Sequence, residues 1–169
     1  MTSAAALFGG ANVAEDEDPD TATHDSAFLG IPLIDSSPMR RILVVEDSVS
    51  TRCLVRAILE EPVFAQLPGV GPVEVTEAQS GFDAMRLLPR TKYDLIITDI
   101  NMPDVNGLEL IHFIRRSEQY RTTPLVIIST QATERDVDRG MALGADAYVP
   151  KPFTPESLRA ACAKLLSNG

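Results

Sequence analysis

The sequence predicts an α/β fold, a three-layer α/β/α sandwich around a five-stranded parallel sheet. Two features carry that expectation. From Met39 onward, five strand-like apolar runs alternate with five helix-like segments; such alternation demands a parallel sheet with helices on both faces. The first run, Ile42-Leu43-Val44-Val45, is continuously apolar, as expected for a strand covered on both sides.

The elements follow in order. After the strand at 42–45, a helix is expected over 48–60, carrying Val49, Cys53, Ala57 and Ile58. The stretch 62–72, with two prolines at its ends and Gly69 and Gly71 inside, reads as an unusually long loop. Residues 73–76 form a short second strand, and 80–88 a second helix with Ser80 as its cap. The third strand is 94–98. Asn106 with Glu109 three residues later has the form of a capping box for a helix running to Arg116. The fourth strand is 125–129. Thr133 and Asp136 open a fourth helix that stops at Gly144. The fifth strand is 147–149. Thr154-Pro155, a cap followed by a first-turn proline, opens the last helix, whose apolar stripe is Leu158, Ala161, Cys162, Leu165 and Leu166. No internal repeat is visible.

The 169 residues divide into an acidic extension over 1–38 and a domain over 39–169. The extension holds seven acids and no Lys or Arg, which leaves 17 acids against 15 bases in the rest of a chain whose net charge is −9. Its composition offers too little apolar area to offset the entropy of ordering, so disorder is expected. Two apolar islands, Ala6-Leu7-Phe8 and the run 28–34, read either as parts of a linker that packs loosely on the domain, the favoured reading, or as a short partner-binding or self-docking segment. Neither part has the basic surface of a nucleic-acid binder, so no direct DNA binding is expected. No apolar run is long enough to span a membrane, and the start lacks a secretory signal, so a cytoplasmic location without membrane insertion is expected. Cys53 and Cys162 fall at apolar positions of predicted helices and read as small core residues; two isolated cysteines make neither a metal knuckle nor a disulfide framework.

The chemistry gathers at strand ends. Glu46 and Asp47 follow the first strand, Asp99 the third, Ser129 closes the fourth, and Lys151 follows the fifth. Ligands bind at the carboxyl ends of strands in open α/β sheets. Three carboxylates in one crevice repel each other, and a hard divalent cation relieves that repulsion, Mg²⁺ being the natural one. Lys151 is suited to a phosphoryl oxygen, and Ser129 offers a hydroxyl donor to the same group. Asp99, centrally placed, can act as a nucleophile and form an aspartyl phosphate. Each residue alone has a structural explanation, as cap, turn or exposed lysine. Their joint occurrence favours a phosphoryl site.

Val44-Val45-Glu46-Asp47, Asp99-Ile100-Asn101-Met102-Pro103-Asp104-Val105-Asn106-Gly107, Ile128-Ser129-Thr130 and Lys151-Pro152-Phe153 closely resemble the response-regulator receiver family, over roughly 40–166. The resemblance implies a flavodoxin/CheY-like sheet of order 2-1-3-4-5 and the role of a stand-alone, phosphorylation-activated switch rather than an enzyme. It implies that Asp99 is the phosphoacceptor, receiving its group from a sensor histidine kinase or phosphotransfer protein. Glu46, Asp47, Asp99 and Asn101 are the implied Mg²⁺ ligand set, Glu46 largely through water and Asn101 through its backbone carbonyl. Lys151 pairs with the phosphoryl group, Ser129 and Tyr148 form the switch pair, Asn101 and Gln131 tune hydrolysis, and the Lys151–Pro152 bond is cis. Glu at 46 and Ser at 129 depart from the commoner Asp and Thr and keep the chemistry.

The implied output face joins the fourth helix, fifth strand and fifth helix, with Arg135, Asp138, Arg139, Tyr148, Arg159 and Lys164. Because the chain stops at Gly169, output is expected to run through a protein target or a homodimer. A phosphatase with Asp-x-Asp on its first strand fits poorly, because the candidate nucleophile Asp99 is on the third strand and is followed by Ile100-Asn101; a nucleotide-binding enzyme with a Gly-rich first turn fits poorly with Glu46-Asp47-Ser48-Val49. The serious alternative is a phosphorylation-independent interaction module. Such a module usually lacks an acid or the lysine, and here all are present.

Overall fold

The computed structural model describes residues 38–130 and 134–168. The chain divides into two units, 1–34 and 35–169. The extension read as disordered, apart from Pro38, lies outside the described residues, as do Gln131 and Thr133.

Five strands, β1 (Arg40–Val45), β2 (Val73–Ala78), β3 (Leu95–Asp99), β4 (Leu125–Ser129) and β5 (Ala147–Pro150), form one sheet in the order β2-β1-β3-β4-β5. All four pairings are parallel. The long helices are α1 (Val49–Glu60), α2 (Gly81–Leu87), α3 (Gly107–Arg116), α4 (Glu134–Ala142) and α5 (Pro155–Leu166). Successive strand residues point to opposite faces, and the core divides accordingly. Ile42, Val44, Leu95, Ile97, Val126 and Ile128 pack with Val55, Ile58 and Leu59 of α1 and with Leu158, Cys162 and Leu166 of α5. Leu43, Val45, Ile96, Leu125 and Ile127 pack on the other face with Ala84 of α2 and with Leu110, Ile111 and Ile114 of α3. The three-layer expectation and the strand order both hold.

The caps follow the sequence closely. The side chain of Ser80 accepts from the Asp83 amide at 3.1 Å. Asn106 and Glu109 form a reciprocal capping box, as do Thr154 and Ser157, with Pro155 in the first turn of α5. Such boxes satisfy helix-start amides that otherwise have no partner.

Two expectations need correction. The buried face of α1 is Arg52, Val55, Ile58 and Leu59, whereas Val49, Cys53 and Ala57 are exposed. Of the two cysteines, only Cys162 is a core residue; Cys53 faces outward. The apolar stripe is displaced because an arginine, not an apolar residue, occupies its first position. The 62–72 stretch is also more than a loop. Pro62–Ala65 form one helical turn, and Phe64 within it is fully buried against the α1/α5 side of the core. One turn is too short to show a helical period, so its anchor is a tertiary contact.

Candidate functional site

Register brings the acids together. Val45 pairs with Thr98 across β1 and β3, so Glu46, just past β1, comes beside Asp99, the last residue of β3. Ser129 pairs with Pro150 across β4 and β5, and the Lys151 amide donates to the Ser129 carbonyl at 2.8 Å. That bond delivers the Lys151 side chain to the acids.

Lys151 Nζ lies 2.5 Å from Glu46 Oε2 and 3.1 Å from Asp99 Oδ2. The other Glu46 oxygen accepts from the Ser48 amide at 3.0 Å, and the other Asp99 oxygen accepts from the Ile100 amide at 2.7 Å. Glu46 is 1% exposed and Asp99 5%, while Asp47 is exposed. One carboxylate oxygen from each of these three residues falls within 4.8 Å of the others. Three hard oxygen donors of this kind fit a hard divalent cation and offer nothing that selects a soft metal.

Burial raises the pKa of Glu46 above its ordinary value; the Lys151 hydrogen bond, the Ser48 amide and the Lys151 charge oppose that rise, and the Asp99 charge adds to it. Lys151 therefore neutralises a carboxylate that the protein has desolvated.

The loop after β3 is closed by the Gly107 amide, which donates to the Ile100 carbonyl at 3.0 Å. Gly107 permits this approach. A Cβ there would sit 2.0 Å from the Asp99 carbonyl oxygen and 2.8 Å from the Ile100 Cα. Asn101, exposed in the same loop, donates from Nδ2 to Ser129 Oγ at 3.3 Å. The side chain of Ser129 is buried. Tyr148 is half-buried on β5 and packs against the α2/α3 side of the core. The Lys151–Pro152 peptide is cis, as the resemblance implies.

The structure thus joins Glu46, Asp47, Asp99 and Lys151 in one cluster, and links Asn101 to Ser129 beside it. Gln131 lies outside the described residues. Of the residues expected on the output face, Arg135, Asp138 and Arg139 belong to α4. Arg159 instead turns toward the end of α1, where it pairs with Glu61 and approaches the Ile58 carbonyl at 3.3 Å. Lys164 lines a groove with Val63, Leu67 and Arg159, on that same side.

Sequence reasoning missed Arg52. Its Nη1 donates to the Glu46 carbonyl at 2.7 Å, directly behind the acid cluster. An arginine inside an apolar stripe was the available signal.

A family profile described as the response regulator receiver domain matches residues 42–163. The chain is 32% identical over 130 residues to a Campylobacter jejuni protein named as a chemotaxis protein CheY homolog, covering 76% of this chain and 94% of that protein. Among solved structures, the Vibrio cholerae chemotaxis protein CheY4 matches with a TM-score of 0.66 at 31% identity, covering 76% of this chain and 99% of that one. The receiver domain of the Pseudomonas aeruginosa sensor histidine kinase PA1611, with a magnesium ion coordinated in its active-site cleft, matches with a TM-score of 0.65 at 25% identity. That match covers 76% of this chain and 98% of the receiver domain.

Proposed function

This chain belongs to the response-regulator receiver family, and we propose that it is a phosphorylation-activated switch that accepts a phosphoryl group on Asp99. The donor is a phosphohistidine on a sensor histidine kinase or phosphotransfer protein. The observation that carries this reading is the setting of Asp99. Its carboxylate stands at the tip of β3, held by the Ile100 amide on one oxygen and by Lys151 on the other, with Glu46 and Asp47 alongside.

In the transfer, a carboxylate oxygen of Asp99 forms a bond to phosphorus as the phosphorus–nitrogen bond to histidine breaks. The bonding pair returns to the imidazole nitrogen. Glu46, Asp47, Asp99 and the Asn101 carbonyl are the residues that would hold Mg²⁺, which would supply positive charge against the charge spread over the transferring oxygens. Lys151 moves from its two carboxylates to a phosphoryl oxygen. The ion pair with Glu46 keeps the ammonium within reach until then.

The new phosphoryl oxygens are strong acceptors. Ser129 leaves its bond with Asn101 and donates to them, and Tyr148 follows into the space vacated. The face built from α4, β5 and α5 is thereby biased toward a second arrangement, which a downstream protein or a second copy of the chain reads. Among the described side chains, Arg135, Asp138 and Arg139 of α4 are charged and exposed there. Asn101 flanks the phosphoryl position, and by the family resemblance Asn101 and Gln131 set how fast water removes the group. The protein acts as phosphoacceptor and catalyses only its own phosphorylation and dephosphorylation.

The test is incubation with acetyl phosphate and Mg²⁺, followed by intact mass. A phosphate-sized gain that disappears in Asp99→Ala and in EDTA is expected. No gain in the wild type would reject the phosphoacceptor reading and favour an interaction module that works without phosphorylation.

A further inference from the structure

Arg52 is the one charged residue on the buried face of α1. Its side chain is only 7% exposed, and its Nη1 donates to the Glu46 carbonyl at 2.7 Å and reaches the Asp47 carbonyl at 3.4 Å. Its Nε is buried with no hydrogen-bond partner among the described residues. The nearest anion is Glu77 on β2, with Oε2 3.8 Å from that Nε. Glu77 also faces Arg56 Nη1 at 4.0 Å.

Packing alone does not account for this arrangement. A desolvated guanidinium with an unsatisfied donor destabilises a fold, and an apolar side chain of similar volume commonly serves a core better. The neighbouring positions Val55, Ile58 and Leu59 show what the α1 face otherwise uses. The favourable contacts of Arg52 are made at two backbone carbonyls, and those carbonyls belong to the two acids that follow β1. Departures from local rules of this kind collect at functional sites.

We propose that Arg52 is a positioning residue for the acidic site, holding the Glu46–Asp47 backbone so that both carboxylates project toward Asp99, with Glu77 steadying Arg52 from outside. This inference rests on the reading that Glu46, Asp47 and Asp99 bind a divalent cation. Asp47 gains most. Its carboxylate is exposed, so a fixed backbone removes conformational freedom that metal binding would otherwise have to restrict. The buried positive charge behind the pair also reduces the mutual repulsion of the acids before a cation arrives.

Groups that orient metal ligands from behind typically change metal affinity by roughly 10–100-fold when removed. The experiment is calorimetric titration of MgCl₂ into the full chain, comparing wild type, Arg52→Gln, Arg52→Lys and Glu77→Gln, with far-UV circular dichroism as the check on folding. Arg52→Gln is expected to weaken Mg²⁺ binding about 10-fold or more. Arg52→Lys, which keeps the charge and still reaches one carbonyl, recovers part of the loss. Glu77→Gln, a change at a half-exposed position, weakens binding by a smaller factor. If folded Arg52→Gln binds Mg²⁺ as tightly as wild type, the inference is wrong and Arg52 is structural. Should Arg52→Gln not fold, wild-type affinity in both Arg52→Lys and Glu77→Gln overturns the inference equally. No Mg²⁺ binding by the wild type would instead overturn the reading of the acidic cluster itself.

Discussion

Replacing Lys151 with methionine removes the charge and keeps most of the side-chain volume. The lysine ammonium lies 2.5 Å from a Glu46 oxygen and 3.1 Å from an Asp99 oxygen, and is itself only 13% exposed, so solvent screens it weakly. At an effective dielectric of about 20, the closer contact amounts to roughly 6 to 7 kcal/mol of gross attraction. Desolvation of both groups cancels much of that, and removing one member of a buried pair costs about 3–5 kcal/mol net. Protonation of Glu46 caps the penalty. In the variant, the hydrogen bond and charge that lower the Glu46 pKa are gone, while burial and Asp99 still raise it above 4.5. Between 4.5 and the folded value, the native state then holds a proton that the unfolded chain has lost. That stability is fully present below the unfolded pKa and declines as pH rises through the folded one. The expected loss is therefore about 3 kcal/mol at pH 8, or roughly 10 °C in melting temperature, and smaller at pH 4.5, the ordinary value of the group. Urea titrations of wild type and Lys151→Met in EDTA at the two pH values measure it by far-UV circular dichroism. A loss at the higher pH below about 1 kcal/mol, the range of exposed pairs, would refute the argument. So would a loss that is the same at both pH values.

Two further outcomes follow from the geometry. Gly107→Ala drives a methyl group to 2.0 Å from the Asp99 carbonyl and must separate the start of α3 from the tip of β3. A loss of about 3 kcal/mol or more in a thermal melt is expected, and a near-neutral result would mean that the approach is looser than the structure has it. The thiols should differ sharply, because burial pushes the pKa of Cys162 up to about 12 while Cys53 is exposed, and the thiolate is the reactive form. At about pH 8, near the ordinary thiol pKa, a disulfide reagent should label one thiol in the folded protein and two in urea. The raised Cys162 value favours the native state below pH 9 by nothing, since both states hold the proton there; sensitivity to pH begins above 9, where the unfolded thiol ionises and the native one does not until about 12. Rapid labelling of both thiols in the folded protein would contradict the burial of Cys162.

Much of the fold is legible because its signals are local. Asn106 and Glu109, or Thr154 followed by Pro155, mark helix starts through the chemistry of unpaired amides, which needs no tertiary information. The gathering of Glu46, Asp47, Asp99 and Lys151 in the candidate site is legible for a related reason. Each stands just after, or at the last residue of, an apolar run, and a parallel sheet collects those ends. The failures are tertiary. The α1 stripe is displaced because Arg52 is buried by hydrogen bonds to the Glu46 and Asp47 carbonyls, a tertiary contact that the arginine's place in the stripe signals only in part. Phe64 escapes sequence reasoning because one helical turn carries no period. Arg159 reads as an output-face residue, yet it turns to Glu61 and the Ile58 carbonyl, a choice fixed only by the packing of α1 against α5.

Acids at the two ends of the sheet sit in different electrostatic settings. Asp94, just before β3, accepts from the Arg41 amide at 2.8 Å and faces Arg40 at 3.4 Å. Asp146, just before β5, accepts from the Leu125 amide at 2.8 Å and pairs with Arg115 at 2.9 Å. Each joins neighbouring segments through its own amide bond and its own arginine. At the opposite end, Glu46 and Asp99 are more deeply buried and share a single lysine, with Asp47 close by. Charge there is left under-compensated in the protein alone, and a cation or a phosphoryl group with its metal changes that balance most. The direction of the strands decides which acids fall at which end: Asp94 and Asp146, preceding a strand, tie the sheet together, and Glu46, Asp47 and Asp99, at or after a strand's end, gather in the candidate site.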